Sequence, residues 1–235
     1  MRLAFVSDIH GNLPALTAVL DDIEGRGADE VICLGDIVDL GPQSPEVIAL
    51  LRERGIPCIE GNHDGLDEQP DVPVLRDIEV FTADQLTPED RQWLDGLPFS
   101  VRRESQGVRI LGVHGSPRRT TQGMRPEMGE VALGRLLEGT EADVVVCGHT
   151  HVPLVWRVGR VLVVNVGSVG QAFYEAYRGE EPRCMPYAEY GIIEVRDGQP
   201  HPSIHRVPYD IETYARALRT SGMPHATEWM DRWVQ

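Results

Sequence analysis

Five short stretches of the chain each end an apolar run with residues that can carry chemistry. They are Asp8-Ile9-His10, Gly35-Asp36, Gly61-Asn62-His63-Asp64, His114-Gly115 and Gly148-His149-Thr150-His151. Five of the eight histidines fall in them. Singly, an aspartate in such a place is an ordinary turn former, and one histidine is an ordinary hydrogen-bonded core residue. Five stretches of the same character are hard to explain that way. Carboxylates and imidazoles crowded together are costly to bury unless a cation satisfies them. Carboxylate, amide oxygen and imidazole donors suit Mn, Fe, Ni or Zn rather than a thiolate site. Asp8, His10, Asp36, Asn62, His63, His114, His149 and His151 are too many for one four-coordinate ion, which would leave half of them over. Two divalent ions a few ångström apart account for the excess, and such a pair suits in-line attack on phosphorus.

Strands must position these residues. "RLAFVSD", "EVICLGD" and "IPCIEGNHD" alternate with two helical patterns. Asn12 and Pro14 suit the first helix start, and Ser44, Pro45 and Gly55 bound the second. This βαβαβ order predicts a parallel sheet covered by helices, with ligands beyond the carboxyl ends of its strands. Thr87 and Asp90 approach a capping box. "VRILGVHGSP" and "ADVVVCGHTH" supply two more strands. Hairpins turning at Gly159-Arg160 and Asp197-Gly198 then suggest a second, antiparallel sheet packed on the first. Two amphipathic helices close the chain, the last carrying Trp229 and Trp233 as core packing, with an oligomer interface as the alternative. No repeat or linker divides the sequence, so one domain over residues 1–235 is expected. If "GHTH" is extended, side chains two apart point the same way, which sets His149 and His151 side by side.

Composition narrows the partners. Of 235 residues 41% are apolar and 25% charged, as in ordinary globular chains. No stretch is apolar enough to span a membrane, and Asp8 interrupts the N-terminal run too early for a signal peptide. Four cysteines without a CxxC pair fit reduced thiols. Cytoplasmic residence is the expectation, as a monomer or homo-oligomer. A formal net charge of −15 argues against a stable nucleic-acid partner. A small phosphate ester remains admissible where bound cations concentrate positive charge.

The five blocks, in order over residues 8–151, resemble the calcineurin-like metallophosphoesterase superfamily, whose pattern is D-x-H, G-D-x-x-D, G-N-H-D, H and G-H-x-H. "SDIHGN" and "NVGSVGQ" further resemble its small bacterial and archaeal phosphodiesterases. The resemblance implies an α/β fold, a four-layer α/β/β/α sandwich of two packed mixed sheets flanked by helices. It implies one ion on Asp8, His10, Asp36 and His151 and another on Asp36, Asn62, His114 and His149, with Asp36 bridging. It implies His63 near the substrate phosphate, protonating the leaving oxygen, with Asp64 orienting its ring. The implied activity is hydrolysis of small phosphodiesters, cyclic nucleotides among them, by a hydroxide bridging the two ions. A phosphomonoesterase, a protein phosphatase or a dinucleoside-polyphosphate hydrolase on the same site is the alternative. A binding scaffold of the same fold ranks below these because His63 and every ligand are intact.

Arg118 or Arg119, just past His114, is a candidate phosphate contact. Asp39 of "GDIVD" is read as supporting its loop. The long segment after "NVGSVGQ" is a candidate substrate flap carrying Tyr174, Tyr177, Arg178 and Arg183. His201, His205 and His225 are read as surface residues.

Overall fold

The computed structural model describes residues 1–67, 70–175, 179 and 182–234. Its elements in chain order are β1 (Arg2–Val6), α1 (Leu13–Arg26), β2 (Glu30–Cys33), α2 (Ser44–Glu53), α3 (Pro73–Gln85) and α4 (Pro88–Asp95). There follow β3 (Ser100–Ser105), β4 (Val108–Val113), α5 (Gly129–Leu137), β5 (Val144–Cys147), β6 (Leu154–Val158), β7 (Val161–Asn165), β8 (Tyr187–Arg196), β9 (Gln199–Pro208), α6 (Ile211–Thr220) and α7 (Ala226–Met230).

Two mixed sheets result, in the orders β2-β1-β8-β9 and β3-β4-β5-β7-β6. Strand alternation explains how they stack. Leu3 and Phe5 of β1 meet Val144 and Val146 of β5 and Leu162 and Val164 of β7 in a core between the sheets. The opposite faces bury Ala4 and Val6 against α1 and α2, and Val145, Cys147 and Val163 against α5. The layers are therefore helix, sheet, sheet, helix. A further cluster joins α3, α6 and α7 through Ile78, Tyr214, Leu218 and Trp229.

Local signals fold as their chemistry dictates. Asn12 caps α1 by accepting from the Ala15 N–H at 3.1 Å. Thr87 and Asp90 form a reciprocal capping box on α4. Both hairpins turn where expected, with Val158 opposite Val161 and Arg196 opposite Gln199. Asp197 and Gly198 both take positive φ, the tight-turn backbone that matches strand twist.

Several expectations are corrected. The parallel strands do not share one sheet: β1 and β2 lie in one, and β4, β5 and β7 in the other. The strand expected at "IPCIEGNHD" is a single bridge between Cys33 and Cys58. Its backbone is used at once elsewhere, with the Glu60 N–H donating to the Pro98 carbonyl. Ser44 is the first residue of α2 rather than its cap, and the Gln43 side chain makes no cap bond. The last helix stops at Met230, so Trp233 lies beyond it and bridges Cys184. Both tryptophans are buried in the α6–α7 cluster, which is the packing role. All four cysteines are free and buried. Among the described residues, no helix is long and apolar enough to cross a membrane.

Candidate active site

The strand ends of both sheets meet at one edge of the sandwich. The loops after β1 and β2 bring Asp8, His10 and Asp36, and those after β4 and β5 bring His114, His149 and His151. Two groups of donors form. Asp8, His10, Asp36 and His151 place one donor atom each within 4.8 Å of one another, and so do Asp36, His114 and His149. Asn62 joins the second group, its Oδ1 lying 3.1 Å from His114 Nε2. The sets match those implied by the resemblance, with Asp36 common to both.

The geometry fits divalent cations. Two donors bonded at about 2.1 Å to one ion stand roughly 3.0–3.4 Å apart. His10 Nε2 is 3.2 Å from His151 Nε2, and His151 Nε2 is 3.3 Å from Asp8 Oδ1. His114 Nε2 is 3.1 Å from Asp36 Oδ2. The other ring nitrogens are committed. Nδ1 of His10, His114 and His151 faces the carbonyls of Val38, Leu34 and Gln171 at 3.3, 2.8 and 2.8 Å. A carbonyl only accepts, so each Nδ1 carries the proton and each Nε2 is left to act as a donor to metal. Burial holds the His10 and His149 rings neutral, down at about 3 and about 4. For His114, burial works against charge, yet Asp36 and Asp8 together lift it to about 9. A bound cation displaces that proton.

The backbone is bent to achieve this. Asp8, His10, Asp36, His149 and His151 all take left-handed φ, between 48° and 65°. Such a conformation costs an ordinary L-residue about 1–2 kcal/mol, though Asp and His bear it more readily than most. "GHTH" is therefore not extended, and the expectation built on an extended run is corrected. The two histidines diverge: the His149 ring lies 5.2 Å from His114, and the His151 ring 5.0 Å from His10. Gly148 permits this approach, since a Cβ there would collide with Ser7 Oγ and the Asp8 carboxylate. Asn165 fixes the loop, its amide donating to the Gly148 carbonyl at 2.6 Å and to Thr150 Oγ1 at 3.0 Å. The "NVGSVGQ" stretch thus buttresses the site through Asn165 and reaches it at Gln171, whose carbonyl faces His151 Nδ1 and whose side chain lines the cavity.

Two aspartates exchange their expected roles. His63 Nδ1 is 2.8 Å from Asp39 Oδ2, and Thr82 of α3 donates to Asp39 Oδ1 at 3.4 Å. Asp39, not Asp64, orients the His63 ring. Asp64 is buried and accepts four backbone N–H groups, those of Asp36, Ile37, Val38 and Gly61. Its carboxylate laces the two ligand loops together, so it faces away from the His63 imidazole. Asp64→Asn leaves one or two of those buried N–H groups unpaired, at about 1–3 kcal/mol each. The expected result is a melting temperature lower by roughly 4–16 °C by calorimetry. An unchanged transition would contradict the lacing role.

The arginine expectations fare differently. Arg118 is corrected: its Nη2 donates to the Arg135 and Glu138 carbonyls at 2.9 and 3.2 Å, where cationic groups are favoured at the end of α5. Arg183 is exposed and outside the lining of the cavity beside the cluster. Tyr177 and Arg178 lie outside the described residues. Tyr174 is 70% exposed. Among the described residues, the arginines that line that cavity are Arg125 and Arg232, in stretches whose sequence carries no motif to announce them.

Comparison with known proteins agrees with this geometry. Residues 1–190 match the calcineurin-like phosphoesterase superfamily domain. The chain is 30% identical to phosphodiesterase YfcE of Escherichia coli, over 83% of this chain and 88% of that one. It is 28% identical to the uncharacterized protein MJ0912 of Methanocaldococcus jannaschii, over 97% and 95%. The crystal structure of a metallophosphoesterase from Sphaerobacter thermophilus superposes with a TM-score of 0.76 at 30% identity, covering 99% of this chain and 98% of that one. With its two mixed sheets, flanking helices and Asp/His cluster, the chain belongs to the calcineurin-like phosphoesterase superfamily.

Proposed function

We propose that the protein is a phosphodiesterase of small substrates that works with two divalent ions. One observation carries the reading: His10 and His151 point their Nε2 atoms at each other across 3.2 Å while both Nδ1 atoms face carbonyls. Facing lone pairs repel, and a cation between them, with Asp8 and Asp36 as anionic ligands, removes the repulsion. Asp36 belongs to the second donor group as well, which supports a second ion beside the first. The diester preference is supported by the similarity to phosphodiesterase YfcE.

The chain's own groups then have assignable tasks. Asp8, His10, Asp36 and His151 hold one ion; Asp36, Asn62, His114 and His149 hold the other. Bound there, the ions supply an ionised water at neutral pH and offset charge on the phosphoryl oxygens. His63 stands at the cavity floor, with its ring edge-on to His10 at 5.2 Å. One proton stays at Nδ1 against Asp39; in the doubly protonated ring the Nε2–H side meets the substrate, and that second proton passes to the leaving oxygen, leaving the ring neutral. Asp39 keeps that ring oriented and supports positive charge on it during the transfer.

Hydrolysis of bis(p-nitrophenyl) phosphate with manganese tests the reading. Turnover is expected to fall at least about 100-fold on chelation and to return with manganese. No metal-dependent turnover would sink it, and faster turnover of p-nitrophenyl phosphate would move the assignment to a monoesterase. The two-ion arrangement has its own test. His149→Ala and His151→Ala are each expected to lower bound metal from two ions to about one per chain. Anomalous scattering should then find the remaining ion at opposite ends of the cluster. Loss of the same ion in both variants would contradict the split.

A further inference from the structure

A cavity of about 360 Å³ opens directly from the cluster. Asp36, His63, His149 and His151 form its polar floor, and the remaining wall is largely carbon. Val72, Val74 and Leu75 enter from the start of α3, Leu40 from the loop after β2, and Trp229 from α7. Phe173 stacks on the His151 ring at 4.3 Å and carries the apolar wall down to the metal ligands. The same lining holds Arg232, whose guanidinium carbon lies over the Trp229 ring, 4.0 Å from its centre, and whose Nε donates to the Pro182 carbonyl at 3.4 Å. A guanidinium held this way has one face on an aromatic ring and part of its donor set already committed. Val72 is 48% exposed at the mouth, so the wall runs out to solvent as apolar surface.

A phosphoryl group on the ions fills only a fraction of this space, and the volume is in the range of small-molecule sites. Among the described residues, the wall is built of Leu40, Val72, Val74, Leu75, Phe173 and Trp229 rather than of the row of hydroxyl, carboxylate or amide groups that would suit a polyol. Gln171, the one amide among the described lining residues, donates its Nε2 hydrogen to the Leu40 carbonyl at 3.0 Å and keeps only its buried Oε1 as an acceptor. We infer that the cavity binds the organic group of the ester, and that this group is a flat apolar aryl ring rather than a sugar or glycerol. This rests on the phosphoesterase reading above and adds to it the class of substrate. The ring lies between the α3 wall and the Phe173 and Arg232 side, with its phosphate on the cluster floor.

Non-hydrolysable phosphonates isolate the effect of the ring. With the manganese-loaded full chain, inhibition constants for methylphosphonate and benzylphosphonate are measured against bis(p-nitrophenyl) phosphate hydrolysis. Burial of the ring is expected to make benzylphosphonate roughly 10- to 100-fold tighter. Val72→Asp puts a charge at the mouth without burying it, and Leu75→Asp puts one deeper in the wall. Both should bring the ratio of the two constants close to one, Val72→Asp guarding against a folding defect in the other. Equal constants in the unaltered protein, or a ratio that Val72→Asp and Leu75→Asp both leave intact, would overturn the inference. Turnover that resists both phosphonates would overturn it too, since the ring then gains nothing from the cavity. Absent turnover in the same assay would instead strike the phosphoesterase reading.

Discussion

Asp36→Asn is expected to empty both metal positions and to lower kcat/KM on a phosphodiester by at least about 10³-fold. The reason is that this one carboxylate serves everything around it. Its Oδ2 lies 3.1 Å from His114 Nε2 and 3.7 Å from His10 Nε2, one ring from each donor group. Its Oδ1 accepts the His63 N–H at 2.8 Å. Burial disfavours the carboxylate, yet His114, His63 and His10 hold Asp36 well below the usual range. It belongs to both donor groups and would supply negative charge to an ion in each, which a neutral amide cannot replace. Asparagine is the informative substitution because it tolerates the left-handed backbone that Asp36 adopts at φ 51°. An alanine would mix backbone strain into the result. The magnitude follows from losing both the electrostatic stabilisation of the phosphoryl oxygens and the activated water. Metal analysis of the purified variant and its turnover number are the two readouts. A variant that keeps an ion in each position, or turnover within tenfold of the parent, would show that Asp36 does not bridge.

That contrast shows how far the sequence reaches. The ligand types were legible because four of the five blocks follow an apolar strand, and the fifth, at Gly61, follows the single bridge that Cys58 makes to Cys33; strand ends in such sheets converge whatever the loops do. The capping residues Asn12 and Thr87 and the turns at Gly159 and Asp197 were legible because each acts within a few residues of itself. What escaped depends on longer-range choices. Nothing in "RLAFVSD" and "VRILGVHG" says that they enter different sheets, since both read as buried strands. α3 begins without a side-chain cap at Val72 and mixes charge with apolar residues throughout, so its pattern is weak. β3, "SVRRES", pairs with β4 while carrying three consecutive charges, Arg102, Arg103 and Glu104, which hid it. The missing α3 had a direct consequence at the site. Thr82 sits on that helix and holds Asp39, so without α3 the nearer Asp64 looked like the partner of His63. The bend of "GHTH" was hidden in the same way. Only the clamp from Asn165 and the hydrogen bonds from the His149 N–H to Asp8, at 3.1 and 3.0 Å, impose it.

His63→Asn is expected to lower turnover by about 10²–10⁴ while both ions stay bound, because proton transfer to the leaving oxygen is lost and no ligand is touched. Asp39→Asn should cost about 10- to 100-fold, the usual range for a partner that orients a working imidazole. Its amide can turn an N–H towards His63 Nδ1, which disfavours the doubly protonated ring that donates from Nε2. The two changes act on one step, so Asp39→Asn should cost almost nothing further in a chain already carrying His63→Asn. The leaving group supplies a sharper readout than rate alone. A p-nitrophenolate departs with little help, whereas an unsubstituted phenolate needs the proton. The loss on His63→Asn should therefore be several-fold larger for diphenyl phosphate than for bis(p-nitrophenyl) phosphate. The same gradient, on a smaller scale, is expected for Asp39→Asn, which separates a positioning residue from one that merely packs. Asp64→Asn should show no such gradient, because its carboxylate ties backbone to backbone. Equal losses on both esters in the His63 variant, or loss of metal from it, would remove His63 from the proton-transfer step.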